Sequence, residues 1–361
     1  MDLMMTPSTS LNKADEQEGH DSTNNGCAAL HTGSKGTAPD KKAFVTIAMP
    51  ALNEENYIAA AIDSLLPDHE IFDYELLVLD GGSTDDTAAI VRQLSSLNSR
   101  IRLVANERKI QSAAVNIAAR IADPRSKYLV RADCHSIYPT RFIEICVQAL
   151  REKNAASVVV SMHTVGRTPL QRAIAAAQNS RLGNGASKHR LTGWSGYVDH
   201  GHHAAFDRQT FLVMEGYDEN FICNEDAELD TRFLKSNRNI YLSGDATITY
   251  FPRRDFRGLA RQYFYFGAGR AKTVLKHRVF PKLRQLAPLG AFLACAASLA
   301  LSPIEPRLLV IPTAYLAICF GLGLGLAIKE RDWHFALSGV AAVVMHMSWA
   351  VGFLYELASY K

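Results

Sequence analysis

The sequence predicts an α/β domain on a mostly parallel sheet with helices on both faces, followed by C-terminal transmembrane α-helices. Three observations carry that expectation. Short β-rich runs alternate with helical stretches over roughly 43–249, three long uncharged apolar stretches close the chain, and a strongly basic segment lies between. With 361 residues, 48% of them hydrophobic, the chain is long enough for one full domain plus added material.

Residues 1–42 are rich in Ser, Thr, Asn, Gly, Lys and acids and poor in large apolar groups. They cannot bury enough surface to offset ordering entropy, so they read as a disordered tail, and they lack the apolar stretch of a signal peptide. Phe44–Met49 is a β-rich apolar run closed by Pro50, and Glu54–Leu66 has helical apolar spacing. Tyr74–Leu79 is the second strand, stopped at Asp80-Gly81-Gly82; Ser83-Thr84-Asp85-Asp86 then supplies capping groups for a helix over Thr87–Leu97. A strand at Ile101–Ala105, a helix over Gln111–Ala122 and a strand at Lys127–Ala132 continue the rhythm. Repeated βαβ units of this length imply a parallel sheet, whose ligands bind beyond the carboxyl ends of its strands. Asn53, Asp80 and Asp133 sit there.

Leu286–Ser302, Leu308–Ile328 and Trp333–Tyr355 are the apolar stretches, and they predict three transmembrane helices over 286–355 with a short tail at 356–361. Ten basic residues against the single acid Asp255 lie between Arg253 and Arg284. By the positive-inside rule this basic, aromatic 253–285 segment lies at the cytoplasmic face of the cell's plasma (inner) membrane. Three spans would then leave the C-terminus outside the cytoplasm. A net charge of +3 gives no argument for nucleic acid, and six cysteines without a C-x-x-C pair argue against a disulfide framework or a structural zinc module.

Asp80, after a strand and before two glycines, is either an ordinary turn residue or a carboxylate accepting hydrogen bonds from a base or ribose. Asp133 and His135 are two residues apart at a strand end and can reach one divalent ion. Asn224-Glu225-Asp226 opens a helical pattern, where acids are favoured by the helix dipole, or it presents a general base at a pocket edge. His200, His202 and His203 suit a polar loop better than a zinc site, and Trp194 either stacks on a sugar or packs. Gly81 and Gly82 make neither a P-loop nor a dinucleotide fingerprint.

Five runs occur in one order: Met49-Pro50-Ala51-Leu52-Asn53-Glu54-Glu55, Val78-Leu79-Asp80-Gly81-Gly82-Ser83-Thr84-Asp85, Asn116, Arg131-Ala132-Asp133, and Asn224-Glu225-Asp226. Together they resemble the family 2 glycosyltransferases of GT-A fold, a Rossmann-like, mostly parallel architecture, over 43–252. Asp199-His200-Gly201-His202-His203 and the stretch from Arg261 to Arg270 look most like the members that build succinoglycan-type exopolysaccharide. The resemblance implies that Pro50, Asn53 and Glu54 frame a uridine pocket with Asp80 on the uracil or ribose, and that Asn116 belongs to the donor site. Asp133 would hold Mg²⁺ or Mn²⁺ on the donor diphosphate, and Asp226, with Glu225 beside it, would be the catalytic base. Arg261 and Arg270 would clamp the diphosphate or face anionic lipid. Gly81 stands where many members carry a second acid. Arg131 stands where many carry Asp, so either His135 completes the metal site or Arg131 meets a phosphate.

The resemblance further implies an inverting transferase moving a hexose, glucose from UDP-glucose, onto a polyprenyl-diphosphate-linked oligosaccharide. Its partners would be the UDP-sugar donor, the lipid-linked saccharide acceptor, the membrane and other polysaccharide-assembly enzymes. Two rivals stand beside it: transfer of one sugar to polyprenyl phosphate itself, and a catalytically inactive membrane scaffold that binds nucleotide sugar.

Overall fold

The computed structural model describes residues 42–66, 71–185 and 193–360, so all but the last residue of the expected 1–42 tail lies outside the described residues. Strands β1 (Phe44–Ala51), β2 (Asp73–Asp80), β3 (Ile101–Ala105) and β4 (Ser126–Arg131) alternate with α1 (Ile58–Leu65), α2 (Thr87–Leu97) and α3 (Gln111–Ile121). These strands pair in parallel in the order β3-β2-β1-β4, as the βαβ rhythm requires. The chain goes on through β5 (Ser136–Ile137), α4 (Phe142–Glu152), β6 (Ser157–Thr164), α5 (Pro169–Asn179) and α6 (Arg181–Asn184). Next come β7 (Gly196–Val198), β8 (His202–Asp207), α7 (Arg208–Val213), α8 (Glu225–Lys235) and β9 (Ile240–Tyr250).

Beyond β4 the sheet runs β8-β6-β9-β5, with β7 on β9. Here β8 is antiparallel to both β4 and β6, while β6 and β9 are parallel. The sheet is therefore parallel in its first half and mixed in its second, because β8 returns from a long excursion instead of a crossover helix. That reversal delivers the histidine-rich run to the edge of the site.

Alternation along the strands builds two cores. Val45, Ile47 and Met49 face one with residues of α1, α2 and α4, while Ala48, Leu77 and Leu79 face the other with residues of α3, α7 and α8. Leu76, Leu77, Val78 and Leu79 have no exposed surface. Each such side chain contributes about 1.5–3 kcal/mol. With β2 held this firmly, the position of the loop after Asp80 is set by the sheet.

The segment expected to be interfacial is mostly one helix, α9 (Phe256–His277), whose first turn is capped by Asp255 through Gly258 N–H (2.7 Å). Helices α10 (Leu283–Leu301), α11 (Val310–Glu330) and α12 (Leu337–Ser359) coincide with the three apolar stretches. The expected tail at 356–361 is helical as far as Ser359. By length and composition, Pro306–Glu330 and Trp333–Ser359 could each cross a membrane, while α10 is a shorter apolar helix over Gln285–Leu301.

Candidate active site

One cavity of about 1390 Å³ opens at the carboxyl ends of the strands. Gln111, Arg131, Asp133 and His135 line it from the parallel half of the sheet, His200 and His202 from the returning run, and Glu225 and Asp226 from the start of α8. Asp133 and Asp226, about ninety positions apart in sequence, therefore share one chamber.

Asp133 is buried, and each of its oxygens has a partner: Gln111 Nε2 donates to Oδ1 (2.7 Å) and His202 Nε2 lies 3.2 Å from Oδ2. Burial pushes its carboxyl up, but Arg131 and the His202 contact outweigh that and hold it well below the usual carboxylate range. His135 turns elsewhere: its Nδ1 lies 3.3 Å from Glu54 Oε1, and its ring packs edge-on against Tyr250. Among the described residues no three His, Cys, Asp or Glu side chains converge as a metal cluster. A carboxylate oxygen and an imidazole nitrogen at the Asp133–His202 spacing would still suit a Mg²⁺ or Mn²⁺ ion, which accepts such donors beside water. In this geometry the imidazole beside Asp133 is His202, not the expected His135.

Arg131 does not present a free guanidinium to a phosphate. Its Nη1 lies 3.1 Å from Glu225 Oε1 and donates to the Tyr217 hydroxyl (3.1 Å), and its Nε is 3.7 Å from Asp133 Oδ1. It is buried between Asp133 and Glu225. Behind it, His203 Nδ1 meets the same Tyr217 hydroxyl and Nε2 donates to Asp230 Oδ1, both at 2.8 Å, while His200 Nδ1 is 2.8 Å from Asp230 Oδ2. Asp230 lies one helical turn after Asp226 on α8, so this network ties α8 to β4 and β8.

Glu225 and Asp226 separate electrically. Burial raises the Glu225 carboxyl to about 7 against the pull of Arg131, with Asp226 adding to the rise. Burial also pushes Asp226 up, but His200, His203 and Arg131 outweigh it and set the group at about 2. Glu225 is buried against Arg131 while Asp226 keeps partial exposure to the cavity. Asn224, at φ +61°, makes the tight entry into α8 and donates through Nδ2 to Phe266 O (2.8 Å) on α9. Gly269 makes this docking possible, since a Cβ there would sit 2.7 Å from both Asn224 Nδ2 and Cys223 O.

Several expected donor residues lie at the rim instead. Asp80 folds back on its own loop, accepting from Ser83 Oγ (2.6 Å), Ser83 N and Gly82 N. Asn53 takes the left-handed conformation at φ +58°, accepts from Thr84 N (2.8 Å) and donates its own N–H to Ser83 Oγ (2.9 Å). Glu54 N–H donates to Thr87 Oγ1 (2.7 Å), and Pro50 O accepts from Cys134 Sγ. These bonds lock the loops after β1 and β2 together and shape the rim, with Leu52 and Lys109 lining the cavity beside it.

Asn116 clamps the loop at Tyr217 and does not line the cavity. Its Nδ2 donates to Tyr217 O (2.8 Å) and Glu219 Oε1 (3.0 Å), and its Oδ1 accepts from Tyr217 N (2.9 Å). Replacing Asn116 by Ala should cost about 1–3 kcal/mol by orphaning those groups, lowering the thermal midpoint while nucleotide-sugar affinity changes less than twofold; a selective loss of donor affinity would restore it to the donor site. Trp194 packs against Gly196 and into the core, not on the cavity.

Arg261 and Arg270 do line the cavity, joined by Arg181 and Arg253. Lys109, Gln111 and Arg181 line the cavity without a local signal in the sequence, whereas Arg253 opens the basic segment and His202 belongs to the histidine run expected to line a polar loop over the sugar site.

The Glycosyl transferase family 2 profile matches residues 46–212. The succinoglycan biosynthesis protein ExoA of Rhizobium meliloti (strain 1021) is 42% identical over 316 residues, covering 87% of this chain and 95% of that one. The chain belongs to glycosyltransferase family 2. A dolichyl N-acetyl-α-D-glucosaminyl phosphate 3-β-D-2,3-diacetamido-2,3-dideoxy-β-D-glucuronosyltransferase of Methanococcus voltae is 22% identical, over 68% of this chain and 78% of its own. Among solved structures, the mannosyltransferase PcManGT of Pyrobaculum calidifontis, in complex with GDP-Man and Mn²⁺, superposes with a TM-score of 0.54 at 19% identity, covering 91% of this chain and 92% of its own. That superposition establishes the GT-A-like fold of this family 2 glycosyltransferase.

Proposed function

We propose that this glycosyltransferase transfers one hexose, glucose from UDP-glucose, with inversion onto a polyprenyl-diphosphate-linked oligosaccharide at the cytoplasmic face of the plasma membrane, as a step in exopolysaccharide synthesis. The observation that carries the proposal is the continuity of the cavity. The chamber that holds Asp133 and Asp226 is also lined by Pro288 and Ala291 of α10, Tyr315 and Ile318 of α11 and Trp349 of α12. A donor bound at the strand ends and an acceptor whose lipid lies along the apolar helices would meet beside Asp226. The resemblance to ExoA supports the exopolysaccharide context.

The steps follow from the residues. The acceptor hydroxyl gives its proton to Asp226, its oxygen bonds to the anomeric carbon, and the bond from that carbon to the diphosphate oxygen breaks through an oxocarbenium-like transition state. Arg181, Arg253, Arg261 and Arg270 supply cationic contacts to the diphosphate and lipid phosphates. A divalent ion held by Asp133 and His202 would screen the charge gathering on the leaving diphosphate. One carboxylate opposite the leaving group suits a single displacement, hence inversion.

Ala291→Trp fills the membrane end of the cavity and tests the acceptor. Transfer to lipid-linked saccharide should fall at least tenfold while donor binding is unchanged; unaltered transfer would move the acceptor elsewhere. His202→Ala should weaken Mn²⁺ binding about 10–100-fold, the size seen when metal-site partners are lost, and titration calorimetry with Mn²⁺ and nucleotide reads it directly.

A further inference from the structure

The geometry points to a membrane hairpin: α10 and α11 alone enter the bilayer, while α12 lies along the catalytic domain and leaves the C-terminus on the cytoplasmic side. This inference rests on the proposed membrane attachment and replaces its three expected crossings by two.

The start of α12 is tied to the catalytic domain. Asp332, just before it, pairs with Arg172 of α5 at 3.2 Å. Its middle is tied as well: Ala341 and Met345 are buried with Ile174 and Ala177 of α5, and His346 Nε2 donates to Leu182 O of α6 (2.9 Å). Its last turns lie on α9. A Cβ at Gly352 would be 1.9 Å from Phe264 O and one at Gly267 would be 2.0 Å from Trp349 O, so the two backbones touch and the helices run antiparallel, 264 beside 352 and 267 beside 349. Near the end of α12, the Tyr355 ring lies 5.5 Å from that of Phe264.

Helix α9 cannot be taken into hydrocarbon beside it. Lys272 Nζ donates to Asn220 O (2.9 Å), Lys276 pairs with Asp218 (2.7 Å) and Glu228 (2.6 Å), and Arg257 and Arg261 are exposed. Cations at bilayer depth are costly, and these are held by the water-facing domain. A helix packed along α9 and α5 from end to end shares their level. Burial accounts for part of its apolar composition: 44% of its most apolar window is covered, against 11% for α11.

Helices α10 and α11 show the opposite pattern. Leu293, Leu299 and Leu301 on α10 and Phe320 and Leu324 on α11 are exposed and lie outside the chamber. The apolar part of α10, Gln285–Leu301, at about 1.5 Å per residue covers most of the roughly 30 Å of a hydrocarbon core. Lys329 in the last turn of α11 and Arg331 just after it lie on the side where Asp332 meets Arg172, the basic side expected in the cytoplasm. A lipid bilayer is the occupant that fits two outward apolar helices bounded by these cations.

The test is maleimide labelling of full-length single-cysteine additions, read against the unsubstituted chain. In intact cells a membrane-impermeant maleimide should label Ser302→Cys at the α10–α11 turn but not Ser359→Cys at the end of α12; inverted vesicles should reverse the pattern. Labelling of Ser359→Cys from outside, or of neither site from outside, overturns the hairpin. Release of the chain from membranes by alkaline carbonate would instead defeat the membrane attachment on which it rests.

Discussion

Asp226→Asn should abolish transfer while leaving donor affinity within about twofold. Loss of a positioned general base lowers the rate by about 10²–10⁴-fold, and the amide keeps the shape of the carboxylate. Asp226 fits the role because it keeps exposure to the cavity, whereas Glu225 is engaged by Arg131. Held at about 2, it stays ionised across the neutral range and is available to a proton. A bound diphosphate adds negative charge and offsets the histidines that depress it, raising its basicity when the donor is present. Single-turnover transfer and nucleotide binding, measured on the same preparation, decide between base and ligand: equal losses in both would make Asp226 a binding group.

Arg131→Met should be the most destabilising single change at the site. Removing one partner of a buried pair costs about 3–5 kcal/mol, and here the orphaned acid is Glu225. The pH sign follows from the raised carboxyl. Glu225 titrates near 7 in the fold, above its ordinary value, so the folded state holds the extra proton between those values and stability declines as pH rises through about 7. Loss of Arg131 removes the cation that supports the ionised form, so the deficit should be largest at pH 8 and shrink below pH 6. Arg131→Met combined with Glu225→Gln should recover most of the melting temperature at pH 8. An equal deficit at both pH values, with no rescue, would contradict the buried pair.

The two halves of the molecule were unequally legible from sequence. Strand ends and the acids beyond them follow from local rules: apolar runs of strand length, breakers such as Pro50 and Gly81-Gly82, and helical spacing place Asp80, Asp133 and the start of α8 without tertiary information. What pairing does to those groups could not be read locally. His202 reaches Asp133 because β8 runs antiparallel beside β4, a register set by partners some eighty residues apart. That Glu225 pairs with Arg131 and that the loop at Tyr217 occupies the Asn116 amide are also tertiary facts with no local signal. Composition likewise cannot tell a helix that faces lipid from one packed against a neighbour, and α12 combines the length of a span with a partly buried surface.

The central claim is that one chamber joins nucleotide-sugar chemistry to an acceptor carried on the membrane helices. UDP release by the detergent-solubilised full chain tests it most directly, across a panel of UDP-sugars, with and without lipid-linked saccharide from membranes, with Mn²⁺ or Mg²⁺ and then with a chelator. The account predicts release that needs UDP-glucose and the lipid-linked acceptor together and that stops on chelation. Nucleotide binding without turnover on any acceptor would contradict it and leave the chain a nucleotide-sugar-binding scaffold.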